Sequence, residues 1–223
     1  MNSNIQKSYS SENQSVLEDI RRIKRLVLAS MNGEVARSMA AKGVRYRRNL
    51  GVPLTRLNEI AAEFVPDKAL AELLWQSQSR EEMILAACLM PPKEFLPELA
   101  MKWAQDIEQL ELAEIVTMKL FAKLPYVEKM AVDLLNSREE MFFFIGLSMA
   151  VRLEPIADAQ FCNSVCASLF AFEHNSLSIN NLRYAFLERL LFDKPEFKED
   201  VATLVRSATF LDDGVKQLFL SLL

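Results

Sequence analysis

Apolar residues recur at helical spacing from residue 16 to the end of the chain, and no sustained stretch alternates apolar and polar between hairpin turns. Val16, Leu17, Ile20, Ile23, Leu26 and Val27 make the first stripe. Proline then sets the breaks: Pro53 suits a first helical turn, Pro66 precedes DKALAELLWQ, and Pro91-Pro92 stops SREEMILAACLM. With five glycines and eight prolines in 223 residues, the pattern predicts an all-α fold. It has room for about a dozen helices of three to four turns. SQSREEMILAACLM (77–90) and LNSREEMFFFIGLSMA (135–150) open on the same Ser-Arg-Glu-Glu-Met and run into strongly apolar helices. Antiparallel helix pairs stacked as degenerate repeats bury such faces continuously, so we expect a curved α-α superhelix rather than a closed bundle.

The polar start, residues 1–12, reads as a tail, and 13–223 reads as one repeat domain. The longest apolar run, MFFFIGLSMAV (141–151), is too short to span a bilayer, so no membrane partner is expected. Three cysteines, Cys88, Cys162 and Cys166, fit free thiols in a reducing cytoplasm. Cys162 and Cys166 share a helix face. His174 is the only histidine and no third cysteine lies near, so buried thiols are preferred to a metal site. No phosphate-cradling glycine loop, zinc-protease motif or Ser/His/Asp constellation is present, and no cofactor is expected.

Charge is unevenly spread. Residues 1–60 hold eleven Lys or Arg against five Asp or Glu, whereas the remaining 163 hold fifteen against twenty-five. The basic residues cluster in RRIKR (21–25) and in Arg45, Tyr46, Arg47 and Arg48. Such segments either bind phosphates or form solvated helix faces. A second anomaly is IEQLELAEIVTMKLF (107–121), where Ile107, Leu110, Thr117, Met118 and Phe121 share a face with Glu114 in its middle. A carboxylate there must be paired, protonated, at a groove edge or in use.

Four segments, in this order and spacing, resemble the AlkD-type DNA alkylation repair proteins. LLWQSQSREEMILAACLM (73–90) is similar to that family's Leu-Trp…Arg-Glu…Ala-Leu helix-turn-helix, and NLGVPLTRLNEIAAEF (49–64) to its Leu-Gly-Val/Ile stretch. VARSMAAKG (35–43) resembles the preceding helix, and IEQLELAEIV falls where the family has a Trp-x-x-x-Asp helix. The resemblance runs from about residue 30 to about residue 190 and implies a HEAT-like repeat fold whose concave face holds duplex DNA. It further implies a glycosylase that releases positively charged alkylpurines, an aspartate stabilising the developing sugar cation.

Carried over by position, the resemblance puts Glu114 at the catalytic aspartate. It puts Leu110 at the first tryptophan, and Ala185 (or, one residue off, Phe186) at the second. Phe143 and Phe144 stand where a pair of arginines would face DNA, and Ser38 where an aromatic would line the groove. Three readings follow. The protein is a diverged, non-glycosylase member whose concave face binds a nucleic acid or a protein partner, with duplex DNA bound weakly and salt-dependently. Or it is a working glycosylase using Glu114 with another aromatic, such as Trp103, Tyr46 or Phe186. Or it is an interaction scaffold unrelated to DNA, whose acidic carboxyl half docks a basic partner. Trp75, Trp103 and the Phe142–Phe144 run read as packing residues before ligand platforms.

Overall fold

The computed structural model describes residues 2–137, 139–155 and 158–223. Among them are thirteen α-helices and no strand; one isolated bridge pairs Arg48 with Ser79. No helix is long and apolar enough to cross a membrane. The chain divides into two compact units, Met1–Leu96 and Pro97–Leu223.

The first unit holds α1 (Asn2–Ala29), α2 (Gly33–Ala41), α3 (Leu54–Ala61), α4 (Lys68–Trp75) and α5 (Arg80–Leu89). Helix α1 runs through most of the segment read as a tail. Its Ile23 and Val27 are buried, one turn apart on the face that meets α3 and α4. Asn32 caps α2 by accepting from the amides of Glu34 and Val35, and Asp67 caps α4 by accepting from Leu70. Pro53 sits one position earlier than expected, as the N-cap of α3. Helix α5 is the centre of this unit, buried from Arg80 to Ala87 and packed on α3 and α4.

The second unit holds α6 (Pro97–Gln105), α7 (Leu110–Lys119), α8 (Val127–Leu135) and α9 (Glu140–Val151). It continues through α10 (Ala159–Leu169), α11 (Leu177–Asp193), α12 (Lys198–Ser207) and α13 (Asp213–Leu220). Helix α9 is its centre. Every residue from Phe143 to Ala150 is buried, against α6, α7, α8 and α11. Gly146 permits the close approach to α8, since a Cβ there would lie 2.7 Å from the Ala131 carbonyl oxygen. Consecutive helices pair as the sequence suggests: α4 with α5, α8 with α9, α12 with α13.

The shared Ser-Arg-Glu-Glu-Met motif thus heads the central helix of each unit, in different registers. In α5, Ser79 is the N-cap, and Arg80, Glu81 and Glu82 form the buried first turn. In α9 the N-cap is Glu139, and Glu140 is exposed and meets His174 at 2.8 Å. The first copy turns its charges inward, whereas Glu139 and Glu140 of the second are exposed. Glu81 accepts from the amides of Leu50 (3.1 Å) and Val52 (3.3 Å) and from Arg80 Nη1 (3.2 Å), while Arg80 Nη1 also donates to the Val52 carbonyl (3.0 Å). Replacing Glu81 by Ala removes the carboxylate from a buried guanidinium and from the Leu50 and Val52 amides. We expect a loss of about 3 kcal/mol, read by urea unfolding.

Candidate nucleic-acid interface

The basic stretch 45–48 lies in the loop between α2 and α3. Gly43, at φ +85°, carries the chain out of α2 in a conformation other residues adopt only with strain. Beyond it the backbone is tied at every few residues. The Arg48 carbonyl accepts from the Arg80 amide (3.0 Å), and Asn49 Oδ1 accepts from the Gly51 amide (2.9 Å). The Leu50 carbonyl accepts from the Asn32 amide (2.8 Å). Gly51 is required twice over: its φ is +69°, and a Cβ would lie 2.2 Å from the Asn32 carbonyl oxygen. The loop is therefore fixed between the start of α2 and the start of α5.

Its side chains point the other way. Arg45, Arg47 and Arg48 are exposed and Tyr46 is half-buried. On α1, Arg21 and Arg25 are exposed one turn apart, off the buried Ile23 and Val27 face, and Arg37 and Ser38 are exposed on α2. Arg21, Arg25, Arg37, Arg47 and Arg48 make no ion pair with a carboxylate among the described residues. By contrast Arg22 pairs with Glu63, Lys24 with Glu82, and Arg56 with Glu59. A fixed backbone carrying unpaired guanidinium groups suits phosphate, since little is lost in ordering the loop and no internal carboxylate competes.

The residues around Glu114 form a different surface. Helix α7 begins at Leu110 and ends at Lys119, so Ile107 precedes it and Phe121 falls in a following 3₁₀ turn. The stripe expected over 107–121 is therefore not one face. Leu112, Ala113, Ile115, Val116 and Thr117 are the buried residues, while Leu110 (39% exposed), Glu114 and Met118 (41%) form an outward row at i, i+4, i+8. Glu114 is exposed and has two aliphatic neighbours in sequence register. No ring stands in that row.

The other positions considered for ligand contact lie elsewhere. Phe143 and Phe144 are sealed inside the second unit, so neither serves as a DNA contact. Phe143 stacks on Phe172 with ring centroids 4.6 Å apart and lies 5.6 Å from the Arg183 guanidinium. Phe186 and Trp103 are sealed too, which removes both as replacement rings for Glu114. Their apolar area is worth more in the core than a ring is worth at the surface. Ala185 is half-buried and offers a methyl group only. Trp75 is buried, as its helical spacing predicts.

Arg183 is the buried charge that the sequence did not announce. It donates to the carbonyls of Leu169 (2.9 Å), His174 (2.6 Å) and Phe172 (2.7 Å), and to Asn180 Oδ1 (2.9 Å). It therefore closes the end of α10 and the link to α11. Burial lowers its pKa to about 10. Among the described residues no group of three His, Cys, Asp or Glu side chains is placed to hold a metal ion. Burial raises the Cys162 thiol, and the Cys166 thiol to about 12, away from the thiolate a metal needs.

The family model described as DNA alkylation repair enzyme matches residues 23–140, just over half of the chain. The chain belongs to the DNA alkylation repair enzyme family. A solved structure described as a new family of proteins related to the HEAT-like repeat DNA glycosylases, with affinity for branched DNA structures, superposes with a TM-score of 0.68. Its sequence is 16% identical, and the match covers 83% of this chain and 81% of that one. A search of curated proteins gives no match. The likeness establishes a HEAT-like repeat fold.

In this member of the DNA alkylation repair family, the matched segment includes Glu114 and the whole basic loop and stops at the start of α9. The sealed Phe143 also gives a direct check on whether arginine can be restored there. Phe143→Arg should cost at least about 3 kcal/mol through lost packing and an unpaired buried charge, without strengthening DNA binding. Thermal unfolding and fluorescence anisotropy with a labelled duplex read the two effects separately.

Proposed function

We propose that this protein binds DNA through the phosphate backbone, with a preference for branched over continuous duplexes, and that it is a diverged member without glycosylase chemistry. The observation carrying the reading is the locked 44–52 loop with Arg47 and Arg48 exposed, together with the exposed Arg21, Arg25 and Arg37 of the same unit. The affinity for branched DNA described for the structural neighbour points to the same ligand class. We take 13–223 as one repeat domain, because the structural match covers more of the chain than either unit holds. The free cysteines suit a cytoplasmic setting.

Against glycosylase chemistry stands the outward row of α7. A carboxylate stabilises a developing cation best from a fixed position in a site that sheds water, with a ring to hold the sugar. Glu114 has Leu110 and Met118 beside it instead. Its added methylene, relative to aspartate, also moves the charge by more than the roughly 1 Å that costs on the order of a hundredfold in rate.

Phosphate contacts predict a specific salt response. The double variant Arg47→Ala/Arg48→Ala should weaken duplex and branched DNA alike and reduce the slope of log K against log salt by about 2. Anisotropy titrations across a salt series measure this; an unchanged slope would remove the loop from the interface. For the chemistry, release of alkylpurine from methylated DNA should stay at background for wild type and for Glu114→Gln. Release by wild type that the Gln variant abolishes would make Glu114 a working catalytic carboxylate.

A further inference from the structure

We propose that the α1–α2 turn is an apolar knuckle that contacts the unstacked base-pair face at a DNA branch point, with Met31 at its tip. The proposal rests on the DNA-binding reading above and goes further by naming the feature that selects branches. Three residues in this short stretch leave apolar surface in water: Leu28 (45% exposed), Met31 (62%) and Val35 (37%). Scattered exposed aliphatics need no explanation, but these three are gathered at one turn. They also lie in the chain's basic segment, where Arg21 and Arg25 precede Leu28 by two turns and one turn on α1. Apolar tips beside unpaired guanidinium groups complement DNA, whose base-pair faces are apolar and whose backbone is anionic.

The turn is stiff, as a wedge has to be. The Met31 amide donates to the Leu28 carbonyl (3.3 Å), and the Ser30 amide donates to the carbonyls of Leu26 and Val27 (3.1 Å each). Asn32 bonds to Leu50 on one side and caps Glu34 and Val35 on the other. Arg56 Nε donates to Ser30 Oγ at 3.2 Å. Most of the turn's backbone conformational cost is met on folding, so little of it is left to be met on binding.

Selectivity follows from stacking. Inserting Leu or Met between the base pairs of a continuous duplex requires unstacking a step, whereas at a branch point one face of the last pair is already open. The same contact therefore favours branched DNA, while the arginines hold any duplex. Phosphate contacts supply affinity; the knuckle supplies the ratio.

Anisotropy with a fork, a three-way junction and a continuous duplex of equal phosphate count tests this. Wild type should bind the branched forms about tenfold more tightly than the duplex. Met31→Ser should bring that ratio close to one with duplex affinity unchanged, and Met31→Leu should restore it. Arg21→Ala/Arg25→Ala should weaken all forms and leave the ratio in place. A 2-aminopurine beside the branch reports the contact directly, its emission changing with wild type and not with Met31→Ser. A branch preference that survives Met31→Ser, or wild type binding all forms equally, overturns the knuckle and leaves the DNA reading standing. No binding to any form at low salt overturns the DNA reading itself. A dimer in sedimentation that Met31→Ser abolishes assigns the patch to a second copy of the chain and also overturns the proposal.

Discussion

The Glu81 carboxylate is the constraint on which the first unit depends. A buried carboxylate is costly unless each oxygen is satisfied, and this one is met by two backbone amides and the Arg80 guanidinium. The amides belong to Leu50 and Val52, on either side of Gly51, so one side chain of α5 fixes the course of the loop from 48 to 52. The Leu50 carbonyl passes the constraint on to Asn32, and Asn32 starts α2. A basic loop and an apolar turn, distant in sequence from α5, thereby take one geometry. An apolar residue in place of Glu81 would offer the Leu50 and Val52 amides no acceptor.

The second unit solves a like problem with the opposite charge. Arg183 has no carboxylate partner among the described residues; four oxygens accept from it, and Phe143, Phe170 and Phe210 surround it with ring centroids 5.2–5.9 Å away. Carbonyl dipoles and ring faces stand in for a counter-ion, while burial disfavours the charged form and lowers the pKa to about 10. The carbonyls come from the end of α10 and the link after it, groups that otherwise have no partner once a helix stops. This accounts for Phe143: its ring serves Arg183 and Phe172, and an arginine at 143 would set two cations against each other.

Most of the helix set could be read from sequence, because 3.6-residue periodicity and proline breaks are local signals. The α9 helix, apolar on most sides in sequence, reads as one covered by neighbours, and its neighbours cover it. The row around Glu114 could not be read in the same way. A helix five residues longer than α7 puts Ile107 and Phe121 on the face of Leu110 and Met118, and only the boundaries at 110 and 119 show that face to be outward. The roles of Glu81 and Arg183 were hidden for a different reason. Most of their partners are backbone groups, which carry no sequence label, and these lie 29–31 and 9–14 residues away. The one visible hint was charge at the head of an all-round apolar helix in SREEMILAACLM. The same motif in α9 is set differently on its helix and leaves its glutamates outside, so the motif alone does not decide.

Binding and chemistry also tolerate change to different degrees, which explains how one can remain where the other lapses. Affinity for a phosphate backbone depends on how many counterions the cations release, and a guanidinium on a long side chain finds a phosphate over several ångströms. Losing one contact lowers the salt slope by about one and leaves the rest working. Stabilising a sugar cation has no such reserve. It requires a carboxylate, rings and water exclusion in one geometry, and a shift of about 1 Å in any of them is felt in rate. On the proposed reading, exposed arginines on a loop fixed by Glu81 would meet the first requirement through number and rigidity. Glu114 between Leu110 and Met118 keeps the charge of the second and lacks the rings beside it.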